Sequence, residues 1–82
     1  MHVTIRLFGR LRDLAGATEL VREMRAPATV ANVWQLLAAE FPAVAPYGRS
    51  VSAAVNADFA KMTTSLGEGD EVAFLPPVSG GR

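Results

Sequence analysis

The sequence contains no cysteine and only one histidine, His2 at the N-terminus. The absence of cysteine excludes disulfide bonds, thiolate metal sites and a cysteine nucleophile. A single histidine supplies no histidine cluster for a metal centre. We therefore expect no bound metal and no bound cofactor.

Long apolar runs and an excess of charge of either sign are also absent. No apolar run reaches the roughly 18–20 residues that a membrane span needs, and no signal-peptide pattern occurs. Eight basic residues balance eight acidic ones. This balance argues against a broad surface for nucleic acid or an anionic membrane. We expect a cytoplasmic protein that binds neither.

The length of 82 residues predicts one domain. A chain of this size buries only about 60–65% of the surface that its unfolded form exposes, which leaves little room for an active-site cavity beside a core. Half of the residues are hydrophobic, as is typical of globular proteins. We expect a domain that is recognised by other proteins and has no catalytic residues of its own.

The first part of the chain predicts two strands. Residues 3–7 alternate apolar and polar side chains, Phe8 breaks this alternation, and Gly9 ends the run. Residues 18–25 alternate less clearly, so a strand is favoured and a short amphipathic helix is the alternative. Residues 10–16 are too short for a stable helix and predict a turn or loop.

A helix is the clearest element of the sequence. Thr29 is a plausible N-cap, and Pro42 stops the helix. One apolar stripe has helical spacing and consists of Val30, Val33, Trp34, Leu37 and Phe41. Trp34 is expected in the core between the helix and a sheet.

The second half of the chain predicts further strands. They cover residues 51–55, 59–62 (an edge strand) and 71–75, with a loop at 43–50 and turns at 56–58 and 67–70. The last strand is apolar on both faces and is expected at the centre of the sheet. The resulting fold class is α+β, with a small mixed sheet of four to five strands packed against one main helix.

The end of the chain predicts a domain over residues 1–75 and an extended, flexible tail over 76–82. Pro76 and Pro77 hold the start of the tail extended, and Gly80 and Gly81 carry no side chain. Such a tail can enter a narrow channel of another protein. There a terminal carboxylate can be activated, for example as a mixed anhydride with adenylate.

Three stretches of the sequence resemble one family. Leu66 to Gly81 reads LGEGDEVAFLPPVSGG, Ala53 to Asn56 reads AAVN, and Leu7 to Gly16 reads LFGRLRDLAG. These stretches resemble the small subunits of molybdopterin synthase, which are sulfur carriers of molybdenum-cofactor synthesis. The resemblance covers essentially the whole chain and implies a ubiquitin-like β-grasp fold.

The resemblance also implies a function. An E1-like adenylyltransferase uses ATP to adenylate the carboxylate of Gly81, and a sulfur donor converts it to a thiocarboxylate. The tail then enters the large subunit of molybdopterin synthase, where the sulfur passes to a pterin precursor. The catalytic side chains belong to these partners.

Four residues match the partner-binding surface of the family, namely Phe8, Arg12, Phe59 and Leu75. The alternative for Phe8 and Leu75 is packing in the core. The alternative for Arg12 is a solvated loop charge.

Arg82 departs from the family, whose usual tail ends at the second glycine. Its peptide bond hides the carboxylate of Gly81. Three explanations are open: removal by a peptidase, a recombinant origin, or a carrier that tolerates the extra residue. Two other functions stay open: a related carrier for thiamine, cysteine or tRNA thiolation, and a β-grasp interaction module without acyl chemistry.

Overall fold

The computed structural model describes residues 1–77 and contains a five-stranded mixed sheet. The strands are β1 (His2–Leu7), β2 (Glu19–Glu23), β3 (Ser52–Val55), β4 (Asp58–Ala60) and β5 (Glu71–Leu75), in the spatial order β2-β1-β5-β3-β4. β1 and β5 are parallel, and the other neighbours are antiparallel. The helices are α1 (Gly9–Ala15), α2 (Val30–Glu40) and a 3₁₀ helix at Pro42–Tyr47.

β5 lies at the centre of the sheet, as its apolar sequence predicts. It pairs with β1 on one side and β3 on the other, so that Phe74 lies opposite both Leu7 and Ala53. Val72 and Phe74 are fully buried on the face that contains the core. The predicted edge strand is β4, which is shorter than expected.

α2 begins and ends close to the predicted positions. The Thr29 hydroxyl accepts a hydrogen bond from the Asn32 N–H at 3.3 Å, and the Asn32 side-chain oxygen accepts one from the Thr29 N–H at 2.8 Å. This reciprocal pair satisfies two amides that the first helical turn leaves free. At the other end the 3₁₀ helix begins with Pro42, which cannot continue the ladder of α2.

The core lies between α2 and one face of the sheet. The predicted stripe faces it: four of its members are buried, and Phe41 is partly buried. The Trp34 ring is 8% exposed and meets the Phe74 ring edge-on, with centroids 5.0 Å apart. The prediction that Trp34 belongs to the core is confirmed.

Two segments predicted as loops are helical. α1 occupies most of residues 10–16, and the 3₁₀ helix occupies most of 43–50. α1 has only seven residues, but Leu11 is fully buried, and Gly16 ends the helix with φ +73° and an N–H···O bond of 2.8 Å to Arg12. Val44 is likewise buried in the 3₁₀ helix. Tertiary burial stabilises helical segments that are too short to form alone.

The turn before β5 is organised by the Asp70 carboxylate. It accepts hydrogen bonds from the Gly67 N–H at 2.8 Å and from the Asn56 side-chain amide at 3.0 Å. The Asn56 side-chain oxygen in turn accepts from the Glu71 N–H at 3.0 Å. The bond from Gly67, and then that from Asn56, lowers the pKa of Asp70 because both bonds favour the charged form.

We expect acid to weaken the fold through this turn. A pKa that is lower in the folded state gives a stabilisation that is complete above the unfolded pKa of ~3.9 and is lost as the pH falls through the folded value. Urea unfolding at about pH 6 and about pH 3 should show that Asp70→Asn reduces the pH dependence of the unfolding free energy. Asp58→Asn, at an exposed position in β4, is the control and should retain that dependence. Equal pH dependence in the Asp70 variant and the unaltered protein would contradict this role.

Candidate docking site

The face of the sheet opposite α2 carries an exposed row of side chains. Side chains alternate between the two faces of a strand, so residues paired across strands share a face. Phe59 of β4 pairs with Ala54 of β3, which pairs with Ala73 of β5. Ala73 pairs in turn with Arg6 of β1, and Arg6 with Glu19 of β2. The row is therefore apolar at the β4 edge and charged at the β2 edge.

The apolar half of this face forms a groove of about 240 Å³. We call it the apolar groove; it is lined by Phe8, Ala54, Ala57, Phe59, Ala73 and Leu75. Its three alanines are small, so they leave space between the larger side chains. An apolar side chain of a partner could occupy this space.

The aromatic side chains of the groove are open to solvent. Phe59 is 86% exposed and Phe8 is 40% exposed, whereas Leu75 is partly buried. Phe8 is thus not a core residue. Exposed apolar side chains that are grouped in one patch mark interaction surfaces. The structure brings together three of the four residues predicted to bind a partner.

The turn between β1 and α1 sets the position of Phe8. Phe8 is the N-cap of α1 with an extended backbone (φ −129°, ψ 156°). The Arg6 guanidinium lies 5.9 Å from the centroid of the Phe8 ring, within the range of a cation–π contact. Arg6 Nη1 also lies 3.5 Å from a carboxylate oxygen of Glu71. Arg6 therefore connects the groove to the charged half of the face.

The hairpin between β3 and β4 sets the position of Ala57 and Phe59. Its two turn residues, Asn56 and Ala57, have φ values of +49° and +75°. Two successive residues with positive φ form the tight turn whose twist matches that of paired strands. The hairpin places Ala57 and Phe59 at the open edge of the sheet.

Arg12, the fourth predicted residue, lies outside the apolar groove. It belongs to α1 and lines a separate shallow depression together with Asp13, Gly16, Ala17 and Thr18. Its Nε lies 3.7 Å from a carboxylate oxygen of Asp13, and both side chains are at least half exposed. Sequence reasoning did not identify Ala54, Ala57 and Ala73 as groove residues. The strand alternation could have placed Ala54 and Ala73 on one face, but the pairing was needed to bring them together.

The groove ends where the predicted tail begins. Leu75 is the last residue of β5; Pro76, which follows, is partly buried, and Pro77 is exposed. The flexible tail predicted beyond Pro77, with Gly80, Gly81 and Arg82, lies outside the described residues.

Residues 1–77 contain neither a metal-binding cluster nor a helix that could span a membrane. No three His, Asp or Glu side chains of this part are grouped so that they could hold a metal ion. None of its helices combines the length and apolar character needed to cross a membrane.

Comparison with known proteins relates this chain to a family of small carriers. The model of the ThiS family matches residues 5–81. The molybdopterin synthase sulfur carrier subunit of Mycobacterium tuberculosis is 35% identical over 82 residues, covering 99% of both chains. The protein of the same name from Escherichia coli is 36% identical over 83 residues, covering 96% of this chain and 99% of that one.

The fold has close structural counterparts. The crystal structure of SAMP1 from Haloferax volcanii superposes with a TM-score of 0.85 and 26% sequence identity, covering 99% of this chain and 100% of that chain. This likeness confirms the predicted α+β class and the ubiquitin-like β-grasp fold.

Proposed function

The chain belongs to the ThiS family, and from this premise we propose that it is the sulfur-carrier subunit of a molybdopterin synthase. The observation that carries the proposal is the apolar groove. Leu75, which lines the groove, is followed directly by Pro76, the first residue of the predicted tail. Relatives aligned over almost the full length are named as such subunits. A carrier needs a surface that docks on its partner and a tail whose end is loaded with sulfur. Here Leu75 of the docking surface directly precedes Pro76, where the predicted tail begins.

The chemistry that we propose takes place at Gly81. An E1-like adenylyltransferase binds ATP, and an oxygen of the Gly81 carboxylate attacks the α-phosphorus, so that an acyl-adenylate forms and pyrophosphate leaves. A nucleophile at the oxidation level of sulfide attacks the acyl carbon and AMP leaves, which gives the thiocarboxylate. Adenylation is needed because a free carboxylate is a poor acyl donor. We place these ATP-dependent steps in the cytoplasm, and the chain itself contributes no catalytic residue.

Arg82 must leave before this chemistry can begin. The carbonyl carbon of Gly81 forms the amide bond to Arg82. Gly81 therefore has no free carboxylate while that bond is intact. We propose that a peptidase hydrolyses the bond, adding water across it and releasing arginine. The domain of residues 1–75 then presents a tail that ends at Gly81.

We propose the apolar groove as the surface that docks on the large subunit of the synthase. Aromatic side chains that become fully desolvated contribute a large share of binding energy in protein interfaces. Phe59 has the most to gain because most of its surface is exposed to water. Phe8 and Leu75 enlarge the same contact, and Arg12 supplies a charge on the neighbouring surface of α1.

Docking can be tested by truncating Phe59. We expect Phe59→Ala to weaken binding to the large subunit by about 10- to 100-fold because it removes a desolvated aromatic contact. Its melting temperature should hardly change, since the ring makes little contact with the core. Val21→Ala is the matched control: Val21 is 54% exposed on the same face, but it belongs to β2 at the opposite edge. Isothermal titration of each variant with the large subunit measures both dissociation constants. Equal affinities for the two variants would exclude the groove as the docking surface.

A further inference from the structure

Gly9 and Pro76 lie close together where β5 leads into the predicted tail, with no room for an unstrained side chain at position 9. β1 and β5 run parallel, and their register ends with Leu7 opposite Phe74. Two residues further along the chain from this pair are Gly9, the first residue of α1, and Pro76, which follows β5. A Cβ atom placed on Gly9 would lie 3.1 Å from Pro76 Cγ and 3.7 Å from Pro76 Cδ. A side chain at position 9 would therefore require Pro76 or the β1–α1 turn to shift by a few tenths of an ångström.

Backbone conformation gives a second reason for glycine at this position. Gly9 has φ +55°, in the left-handed region that other residues rarely adopt. This conformation turns the chain out of the sheet and into α1 directly after Phe8. As a result β1 leaves the plane of the sheet where β5 continues into Pro76. Pro76 has no N–H and so loses no ladder bond when the pairing ends.

We propose that Gly9 is a positioning residue: its missing side chain lets Pro76 pack against the β1–α1 turn and so fixes the direction in which the tail leaves the body. This inference rests on the proposed function, because it matters only if Gly81 must reach a site in a partner. Phe8 and Leu75, the residues just before the two contacting ones, both line the apolar groove. The docking surface and the tail direction are thus set by the same turn.

The effect at Gly81 follows from the length of the tail. The six residues from Pro76 to Gly81 span up to ~20 Å when extended. When a partner holds the tail extended, a small rotation at Pro76 therefore displaces Gly81 by more than it displaces Pro76. Reaction rates are sensitive to misplacement of reacting atoms by about 1 Å. Pro76 and Pro77 extend the stiff part of the tail beyond the body and so carry the direction outward.

The test compares Gly9→Ala with Gly69→Ala in a chain that ends at Gly81. Gly69 also has a positive φ, +79°, but no atom lies within 4 Å of its added Cβ. Both variants thus place a Cβ at a position with positive φ, and only in the first does that Cβ meet Pro76. Melting temperature, affinity for the large subunit and single-turnover sulfur transfer from the thiocarboxylate are measured for each variant. We expect similar melting temperatures and, at saturating large subunit, a transfer rate that is about 10- to 100-fold lower for Gly9→Ala alone; the affinity measurement separates any effect of a shifted Phe8 on docking from the effect on transfer.

A second pair of variants separates the effect of the contact with Pro76 from the effect of backbone strain at Gly9. We expect both variants to fold. Pro76→Ala removes Cγ and Cδ, the atoms that a Cβ on Gly9 would meet. In the Pro76→Ala background, Gly9→Ala should lower the transfer rate by no more than about twofold. The proposal is overturned if Gly9→Ala lowers the rate equally in both backgrounds, or if Gly69→Ala lowers it as much. If the unaltered tail cannot be loaded with sulfur at all, the proposed function itself fails. If it is loaded and Gly9→Ala transfers at the normal rate, only the positioning role is lost.

Discussion

Replacing Gly81 with phenylalanine is expected to abolish sulfur transfer while the melting temperature of the protein stays the same. The physical reason is the missing Cβ: a channel that contacts the backbone on both sides admits glycine and excludes a ring. The reacting carbonyl would then stop short of the partner's site, and the rate should fall by more than about 100-fold. Gly81→Ala should give an intermediate rate, because a methyl group is the smallest obstruction.

The measurement uses a chain ending at residue 81, the activating enzyme, ATP and a sulfur source. Intact mass spectrometry detects loading as the gain that accompanies replacement of one oxygen by sulfur. A parallel sample that retains Arg82 should gain no such mass unless a peptidase first removes the arginine. Loading of the intact chain without loss of arginine would overturn the trimming step. A change of several degrees in the melting temperature of Gly81→Phe would mean that the tail packs on the body, contrary to our expectation.

Trp34→Ala is expected to lower the free energy of unfolding by ~3–5 kcal/mol. The ring is buried, meets Phe74 at an interplanar angle of 67°, and reaches the backbone at Gly48, where an added Cβ would lie 3.0 Å from Trp34 Nε1. Removing it leaves a cavity between α2, β5 and the segment after the 3₁₀ helix. Native domains have only about 5–15 kcal/mol of stability, so this one change could remove half of it.

Denaturant unfolding measures this loss, with Gln35→Ala as the control. Gln35 is the next residue of α2 and is exposed, so its truncation should change the unfolding free energy by less than about 0.5 kcal/mol. Trp34→Phe should lie between the two, because a smaller ring fills part of the space. A loss below about 1 kcal/mol for Trp34→Ala would show that the core can close around the missing ring.

Sequence patterns predicted the elements whose signals are local. The stripe from Val30 to Leu37, the Thr29 cap and the Pro42 stop define α2 without tertiary information, and the apolar character of β5 on both faces predicts its central place. α1 could not be predicted in the same way. Its seven residues are helical because Leu11 is buried in the core. Leu11 can be buried only after the sheet has formed, so the local sequence does not reveal the helix.

The candidate site likewise combines residues that the sequence identified with an arrangement that only the fold decides. Phe8, Phe59 and Leu75 were singled out by resemblance, but their shared groove depends on the cross-strand register and on the positive-φ turn at Ala57. The position of Arg12 outside the groove depends on α1, which the sequence did not reveal. The contact between Gly9 and Pro76 joins residues 67 positions apart and required the parallel pairing of β1 and β5.

The central place of β5 has a mechanical consequence. A force that pulls on the chain beyond Pro77, as when a bound tail is extracted from a partner, acts along β5 itself. β5 is hydrogen-bonded to β1 on one side and β3 on the other. The bonds to β3 run perpendicular to β5 and those to β1 are slanted, so a pull along β5 is shared among the bonds on both of its sides. A load on the end of β5 is therefore borne by two neighbouring strands and not by one.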